Sequence, residues 1–287
     1  MEVYNFEPFA DSEEYKKVNS DIVRWWIDEL GLVCDLSAIE GLLDVATGTG
    51  LMAELFVKDL KGRLEDDCSK LNSVYLLDMS IDALEISRDN LKDLFDVLVC
   101  FCMPIEKMFN PFKKIDLCLW GNGIHYLNSQ SQKESLQRIR SSLSAGGWLL
   151  FNTAFYEGSI IDWTRDFYAS KVAGAVKGLS GKGIQRDRSA KSRMEFFSVG
   201  HYMEMLAEVG FREVRTKEFT IPIYQSAMEH ISSFSHYAAG ALRGYPVEEA
   251  AAALKDAVDK AMEKYGRADK EGRKYVDRNW LAVMARA

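Results

Sequence analysis

Asp44 sits in a short apolar run, Leu42, Leu43 and Val45, and Ala46, Thr47, Gly48 and Gly50 follow it within six residues. A carboxylate beside a glycine turn can hold a charged ligand close to the main chain, because glycine has no Cβ to keep the ligand away. The run from residue 51, LMAELFVKDL, reads as a helix, and its first amides are unpaired donors facing the same place. A second carboxylate, Asp78, ends the apolar run SVYLLD (73–78). From there it can accept hydrogen bonds from both hydroxyls of a ribose. Its other role would be a helix cap, shared with Ser80 or Asp82. For proton transfer the chain offers His125, His201, His230 and His236, with Glu157 behind them. His125 stands nearest the expected reacting centre, His230 and His236 are the other catalytic candidates, and His201 reads as the start of a helix.

The glycine stretch has two readings. From Gly48 it is GTGLMA, which fits the G-x-G-x-x-G/A dinucleotide fingerprint. From Asp44 it is D-x-A-x-G-x-G, which resembles motif I of the class I S-adenosylmethionine (SAM) methyltransferases, (D/E)-x-G-x-G-x-G, with Ala46 in place of the first glycine. The acid separates the two. A pyrophosphate beside Asp44 would be repelled, whereas SAM brings a sulfonium and an ammonium.

The resemblance extends along the chain. Strand and helix patterns alternate after residue 41, which predicts an α/β fold with a doubly wound, mostly parallel sheet. The family implies seven strands, Rossmann-like, with an antiparallel β6–β7 end. Strand three is expected at 96–101 (DVLVCF), followed by CMPIEKM, without the acid that the family places there for adenine. Met103 is left to offer an apolar face and a backbone hydrogen bond. Strand four, 114–121, and the following NGIHYL resemble the family's fourth strand, with Asp116 and His125 in matching places. That places Trp120, Gly121 and Asn122 at the strand's carboxyl end, beside the donor methyl. A helix at 131–143, the turn SAGG, strand five (WLLFNTAF), a helix ending at Gly210, strand six (REVRTKEFTIPI) and a last strand at 278–287 complete the pattern. The implied cofactor-binding set is Asp44, Ala46, Thr47, Gly48, Gly50, Asp78, Met79, Met103, Trp120 and Gly121.

The pattern divides the chain into an N-terminal helical arm or lid (1–36), a SAM-binding core (37–153), a helical insert (154–198), a return to the core (199–222), a second insert (223–277) and the final strand (278–287). In the arm, residues 11–33 have helical spacing with Asp11 or Ser12 as cap, and Tyr4, Phe6, Phe9 and Tyr15 are candidate lid aromatics. Both inserts leave strands at the edge where open α/β sheets bind ligands. Their length and amphipathic pattern suggest a helical cap over a substrate. Within the first, GKGIQRDRSAKSR (181–193) carries Lys182, Arg186, Arg188, Lys191 and Arg193 against one acid. It reads either as a solvated loop or as a contact for a phosphate-bearing or carrier-bound substrate.

Bulk properties narrow the function further. The net charge of −7 over 287 residues argues against general nucleic-acid binding. No run suits a membrane span, and the N-terminus lacks a signal-peptide pattern, so a cytoplasmic protein is expected. Of the five cysteines, Cys34, Cys68, Cys100, Cys102 and Cys118, the last three lie in apolar runs and read as small core hydrophobes, with no metal site expected. The sequence thus predicts a SAM-dependent methyltransferase acting on a small or medium organic acceptor, with oxygen the favoured atom. The alternatives are methylation at carbon or nitrogen, an NAD(P)-dependent oxidoreductase, and an inactive nucleoside-binding protein. The oligomeric state stays open.

Overall fold

The computed structural model describes residues 7–64, 70–108, 115–190 and 195–287. Tyr4, Phe6, Cys68, Lys114, Lys191 and Arg193 lie outside the described residues. The strands are β1 (Gly41–Val45), β2 (Ser73–Asp78), β3 (Val97–Cys102), β4 (Leu117–Gly121), β5 (Trp148–Thr153), β6 (Arg212–Tyr224), the two-residue β7 (Arg267–Ala268) and β8 (Lys274–Arg286). The helices are α1 (Glu7–Ala10), α2 (Glu13–Gly31), α3 (Leu51–Arg63), α4 (Ile81–Leu91), α5 (Ser129–Ser142), α6 (Arg165–Gly181), α7 (Val199–Val209), α8 (Gln225–Ser233), α9 (Ser235–Ala241), α10 (Val247–Asp256) and α11 (Val258–Tyr265).

The sheet runs β3–β2–β1–β4–β5–β8–β6, with β7 paired to β8. β1 is parallel to β2 and β4, β2 to β3, and β4 to β5. β8 is antiparallel to β5. Every residue of β1 and of β5 is buried, as strands covered on both faces require. This is the doubly wound, Rossmann-like sheet expected from the alternating pattern, its last long strand reversed. The chain leaves β1 toward β2 and leaves β4 toward β5. The switch point where such sheets bind ligands therefore lies between β1 and β4.

The chain forms two compact units. One holds Asn19–Tyr156, Phe196–Phe219 and Leu281–Ala287; the other holds Met1–Val18, Glu157–Glu195 and Thr220–Trp280. In the sheet unit, Leu43, Val45, Trp120, Leu149, Phe151, Tyr202, Leu206 and Val283 share one buried core. α5 and α7 pack together there, and Lys133 of α5 pairs with Glu208 of α7 at 2.8 Å. Left-handed glycines close the turns before β5 (Gly146, φ 80°) and after α7 (Gly210, φ 98°), where L residues would be strained.

In the helical unit α10 packs against α6, α8 and α9, and α11 packs against α6 and α8. Small residues allow this: Ala250 and Ala253 are buried on α10, and a Cβ at Gly174 of α6 would lie 3.3 Å from that of Ala257. The amphipathic run at 247–266 divides at Ala257, and the aromatic run at 228–245 divides at Phe234. Phe9 and Tyr15 are buried with ring centroids 5.0 Å apart, and Ser12 caps α2 by accepting the Tyr15 amide at 3.3 Å. β4 starts later than its sequence pattern implied. Just before it, the Asp116 carboxylate turns back to accept the amides of Glu40 and Gly41 at 2.9 and 3.3 Å.

Candidate cofactor site

The turn after β1 enters the left-handed region three times, at Ala46 (φ 51°), Gly48 (φ 54°) and Gly50 (φ 83°). Glycine tolerates this; at Ala46 it costs on the order of 1 kcal/mol. Gly50 has a second constraint, because a Cβ there would lie 2.9 Å from Leu91 Cδ1 and 3.2 Å from Ser87 Cβ of α4. The amide of Thr47 donates to the Leu77 carbonyl at 3.2 Å, and the amide of Gly48 donates to Asp78 Oδ2 at 2.9 Å. The turn is thereby fastened to the end of β2. Asp78 Oδ1 accepts the Ser80 amide at 2.9 Å, and Ser80 caps α4 by accepting from Ala83 at 3.2 Å. The cap role therefore falls to Ser80. Asp78 is left as a half-buried carboxylate, held in place by two amides and still able to accept hydroxyl protons.

Asp44 is 1% exposed. Its Oδ2 accepts the Thr47 hydroxyl at 2.7 Å, and its Oδ1 is buried with no hydrogen-bond partner among the described residues. Burial raises its pKa to about 7, the Thr47 hydroxyl and the Ala53 amide at the start of α3 offset part of that, and the charge of Asp78 adds to it. A buried carboxyl with one oxygen unmatched is a site prepared for a ligand that brings positive charge. It fits a sulfonium nucleoside and opposes a pyrophosphate.

In the sheet register, Val45 stands opposite Leu77 on one side and Trp120 on the other. The carboxyl ends of β2, β1 and β4 thus bring Asp78, the Ala46–Gly50 turn, Trp120 and Gly121 together. Trp120 is buried, and a Cβ at Gly121 would lie 2.5 Å from Met52 Cγ of α3. Met103, just past β3, is partly buried and donates its amide to the Asp78 carbonyl at 2.9 Å. Met79 is 69% exposed beside Asp78.

Sequence reasoning missed an asparagine relay under the β4 end. Asn122 follows Gly121 at φ 46°. Its amide donates to Asn152 Oδ1 at 2.7 Å, and its own side-chain oxygen accepts the Ala154 amide at 2.9 Å. Asn152 Nδ2 donates to Asn19 Oδ1 of α2 at 2.9 Å, and Asn19 and Asn152 are fully buried. A polar pair, Asn152-Thr153, inside an otherwise apolar strand was the available signal.

His125 lies in a short 3-10 turn in the sheet unit and is fully buried. Its Nδ1 is 3.1 Å from Thr153 Oγ1, and its ring packs on Tyr126 and Phe155 at centroid distances of 4.2 and 4.3 Å. His230 and His236 are exposed on α8 and α9 of the helical unit. His201 lies in the first turn of α7, its amide donating to the Ser198 cap at 3.1 Å. Burial raises the thiol pKa of Cys34, Cys100 and Cys118, which leaves them poor nucleophiles.

A family model described as a methyltransferase domain matches residues 43–151, from β1 through β5. No curated protein matches the sequence. Among solved structures, loganic acid methyltransferase with SAH is 12% identical, with a TM-score of 0.63 over 99% of this chain and 94% of that one. The [4+2]-cyclase SpnF is 16% identical, with a TM-score of 0.51 over 95% of this chain and 81% of that one. The CurJ carbon methyltransferase is 15% identical, with a TM-score of 0.50 over 98% of this chain and 57% of that one. Among the described residues no helix is long and apolar enough to cross a membrane. A methyltransferase domain thus spans β1 to β5, and the acid near the end of β1 suits the sulfonium of its cofactor, S-adenosylmethionine.

Proposed function

We propose that this enzyme transfers the methyl group of SAM to an oxygen of a small or medium organic acceptor. The observation that carries this reading is the extent of the likeness to loganic acid methyltransferase, whose named substrate is an acid. It runs along 99% of the chain and so takes in the helical unit as well as the methyltransferase domain. The composition agrees, since a net charge of −7 disfavours a nucleic-acid acceptor. Methylation at carbon or nitrogen is the second reading, favoured by the fold likeness to a carbon methyltransferase.

In this reading Asp44 faces the positive charge of SAM and Asp78 takes the ribose hydroxyls. Ala46, Thr47, Gly48 and Gly50 line the nucleoside with backbone, and Met79 and Met103 flank adenine. Trp120 and Gly121 border the methyl. Bound SAM supplies an electrophilic methyl group. The chain's own residues hold the acceptor in line with it and keep water away, and alignment of this kind carries much of the rate. We assign His125, buried on Thr153, to fixing the turn after β4 beneath the site. His230 and His236, exposed on the helical unit, stay candidates for proton transfer on the chemistry of their side chains alone.

The test is to incubate the protein with SAM and a panel of carboxylic acids and phenols, and to follow S-adenosylhomocysteine and product mass. Base-labile methyl esters or methyl ethers support the proposal. A methyl group on carbon or nitrogen moves the assignment to the second reading. Titration with NAD(H) should show no tight binding.

A further inference from the structure

The helical unit contains a cleft of about 320 Å³ that the methyl-transfer reading does not use. Its apolar wall is Val172 and Val176 of α6, facing Leu242 and Tyr245 just beyond α9, and its cationic wall is Arg186 and Arg243. The two arginines come from separate loops that are fastened together. Arg186 Nε donates to the Arg243 carbonyl at 2.9 Å, and the Asp187 amide donates to the Gly244 carbonyl at 2.7 Å. Gly244 (φ 85°) has no room for a side chain, because a Cβ there would collide with the Asp187 carbonyl. The contact therefore depends on glycine, and it ties the Arg186 guanidinium to the backbone at Arg243.

Neither arginine has a carboxylate partner among the described residues. Arg243 Nε is buried without an acceptor. The nearby acid is already engaged: Asp187 Oδ1 accepts both the amide and the hydroxyl of Ser189, at 2.8 and 2.7 Å. Two cationic side chains lining one cleft with an apolar floor, one of them with an unsatisfied buried donor, form a receptor for an oxyanion. The volume is at the small end of ligand sites.

We propose that this cleft is a binding site for a small amphipathic oxyanion, a carboxylate or phosphate monoester with a short apolar tail. The arginines bridge the head and Val172, Val176 and Leu242 cover the tail. The site is complete within the helical unit and does not depend on which atom the enzyme methylates.

The probes are octanoate, octyl phosphate, octanol and inorganic phosphate, titrated by calorimetry into the full chain with and without SAM. At least one of the two amphipathic anions should bind, and octanol and inorganic phosphate should each be at least tenfold weaker. The stronger of the two identifies the head group. Arg243→Gln and Arg186→Gln should each weaken that anion at least tenfold, while SAM affinity and melting temperature stay unchanged. Val176→Phe keeps both charges but fills the floor, and it should weaken the anion as much. The proposal is overturned if neither anion binds, if octanol binds as tightly, or if folded Arg243→Gln and Val176→Phe proteins bind the anion like wild type. SAM binding and methyl transfer are read separately, so failure here leaves the functional assignment standing, and the reverse also holds.

Discussion

Replacing Asp44 by Asn should make the ligand-free protein more stable and the SAM complex weaker. Burial pushes the Asp44 carboxyl up to about 7 in the folded chain, from its ordinary 3.8. A carboxyl whose folded pKa is raised contributes stability that is full below the unfolded value and lost as pH rises through the folded one. Over that interval the loss is bounded at about 4 kcal/mol, from roughly three pKa units at about 1.4 kcal/mol each. Asn keeps an oxygen for the Thr47 hydroxyl and removes the charge, so at pH 8 the ligand-free variant should recover much of this and melt several degrees higher. Binding should change in the opposite direction. Between pH 5.5 and 7 the ionised fraction of Asp44 rises about fifteenfold, while the sulfonium is permanently charged and an amine of pKa near 8 stays protonated. SAM affinity of the wild type should therefore rise by about that factor across this interval. Asp44→Asn should bind SAM more than tenfold more weakly at pH 7 and show no such pH dependence. Calorimetric titrations at pH 5.5, 6.25 and 7, with thermal melts at pH 8, measure both arms. A wild-type SAM affinity flat with pH, or a variant that binds as well as wild type, would refute the reasoning.

Three further perturbations test other parts of the structure. Asn152→Ala removes the donor to Asn19 and the side-chain acceptor of the Asn122 amide, which keeps the Asn152 carbonyl at 3.1 Å, and should cost about 1–2 kcal/mol in urea unfolding. Gly121→Ala drives a methyl into Met52 and should cost about 1–3 kcal/mol; Met52→Ala added to it should recover part of the loss, and a purely additive double variant would count against the contact. Lys171 is fully buried in the helical unit, its Nζ 2.8 Å from the Tyr237 hydroxyl, 3.1 Å from Ser232 Oγ and 3.4 Å from Met228 Sδ. Burial, with the charge of Arg278 adding to it, depresses its pKa to about 7 from 10.5. Between those values the unfolded chain holds the proton that the folded chain has released, so stability rises with pH. The gain from pH 7 to 9.5 is bounded at about 3 kcal/mol, and Lys171→Met should abolish it; equal slopes in the two proteins would contradict the assignment.

Elements whose causes are local could be read directly from the order of residues. The apolar run of β1, the glycines at 48 and 50 and the helix formers of α3 specify strand, turn and helix within about twenty residues, because φ preference and periodicity act between near neighbours. Asp44 and Asp78 were legible for the same reason, as each ends a strand. The succession of strands along the chain also followed from pattern, whereas the reversed last strand was what the family resemblance implied. The remaining contacts join residues far apart in sequence and arise only on folding. Asp78 grips the Gly48 amide 30 residues away, and Asn152 reaches Asn19 across 133. Arg186 meets the Arg243 carbonyl across 57, and Lys171 reaches Tyr237 across 66. A polar side chain in a sequence does not say whether water or another side chain will satisfy it. That is settled when packing closes the intervening loops and removes water from the group, and the unmatched Oδ1 of Asp44 became visible only then.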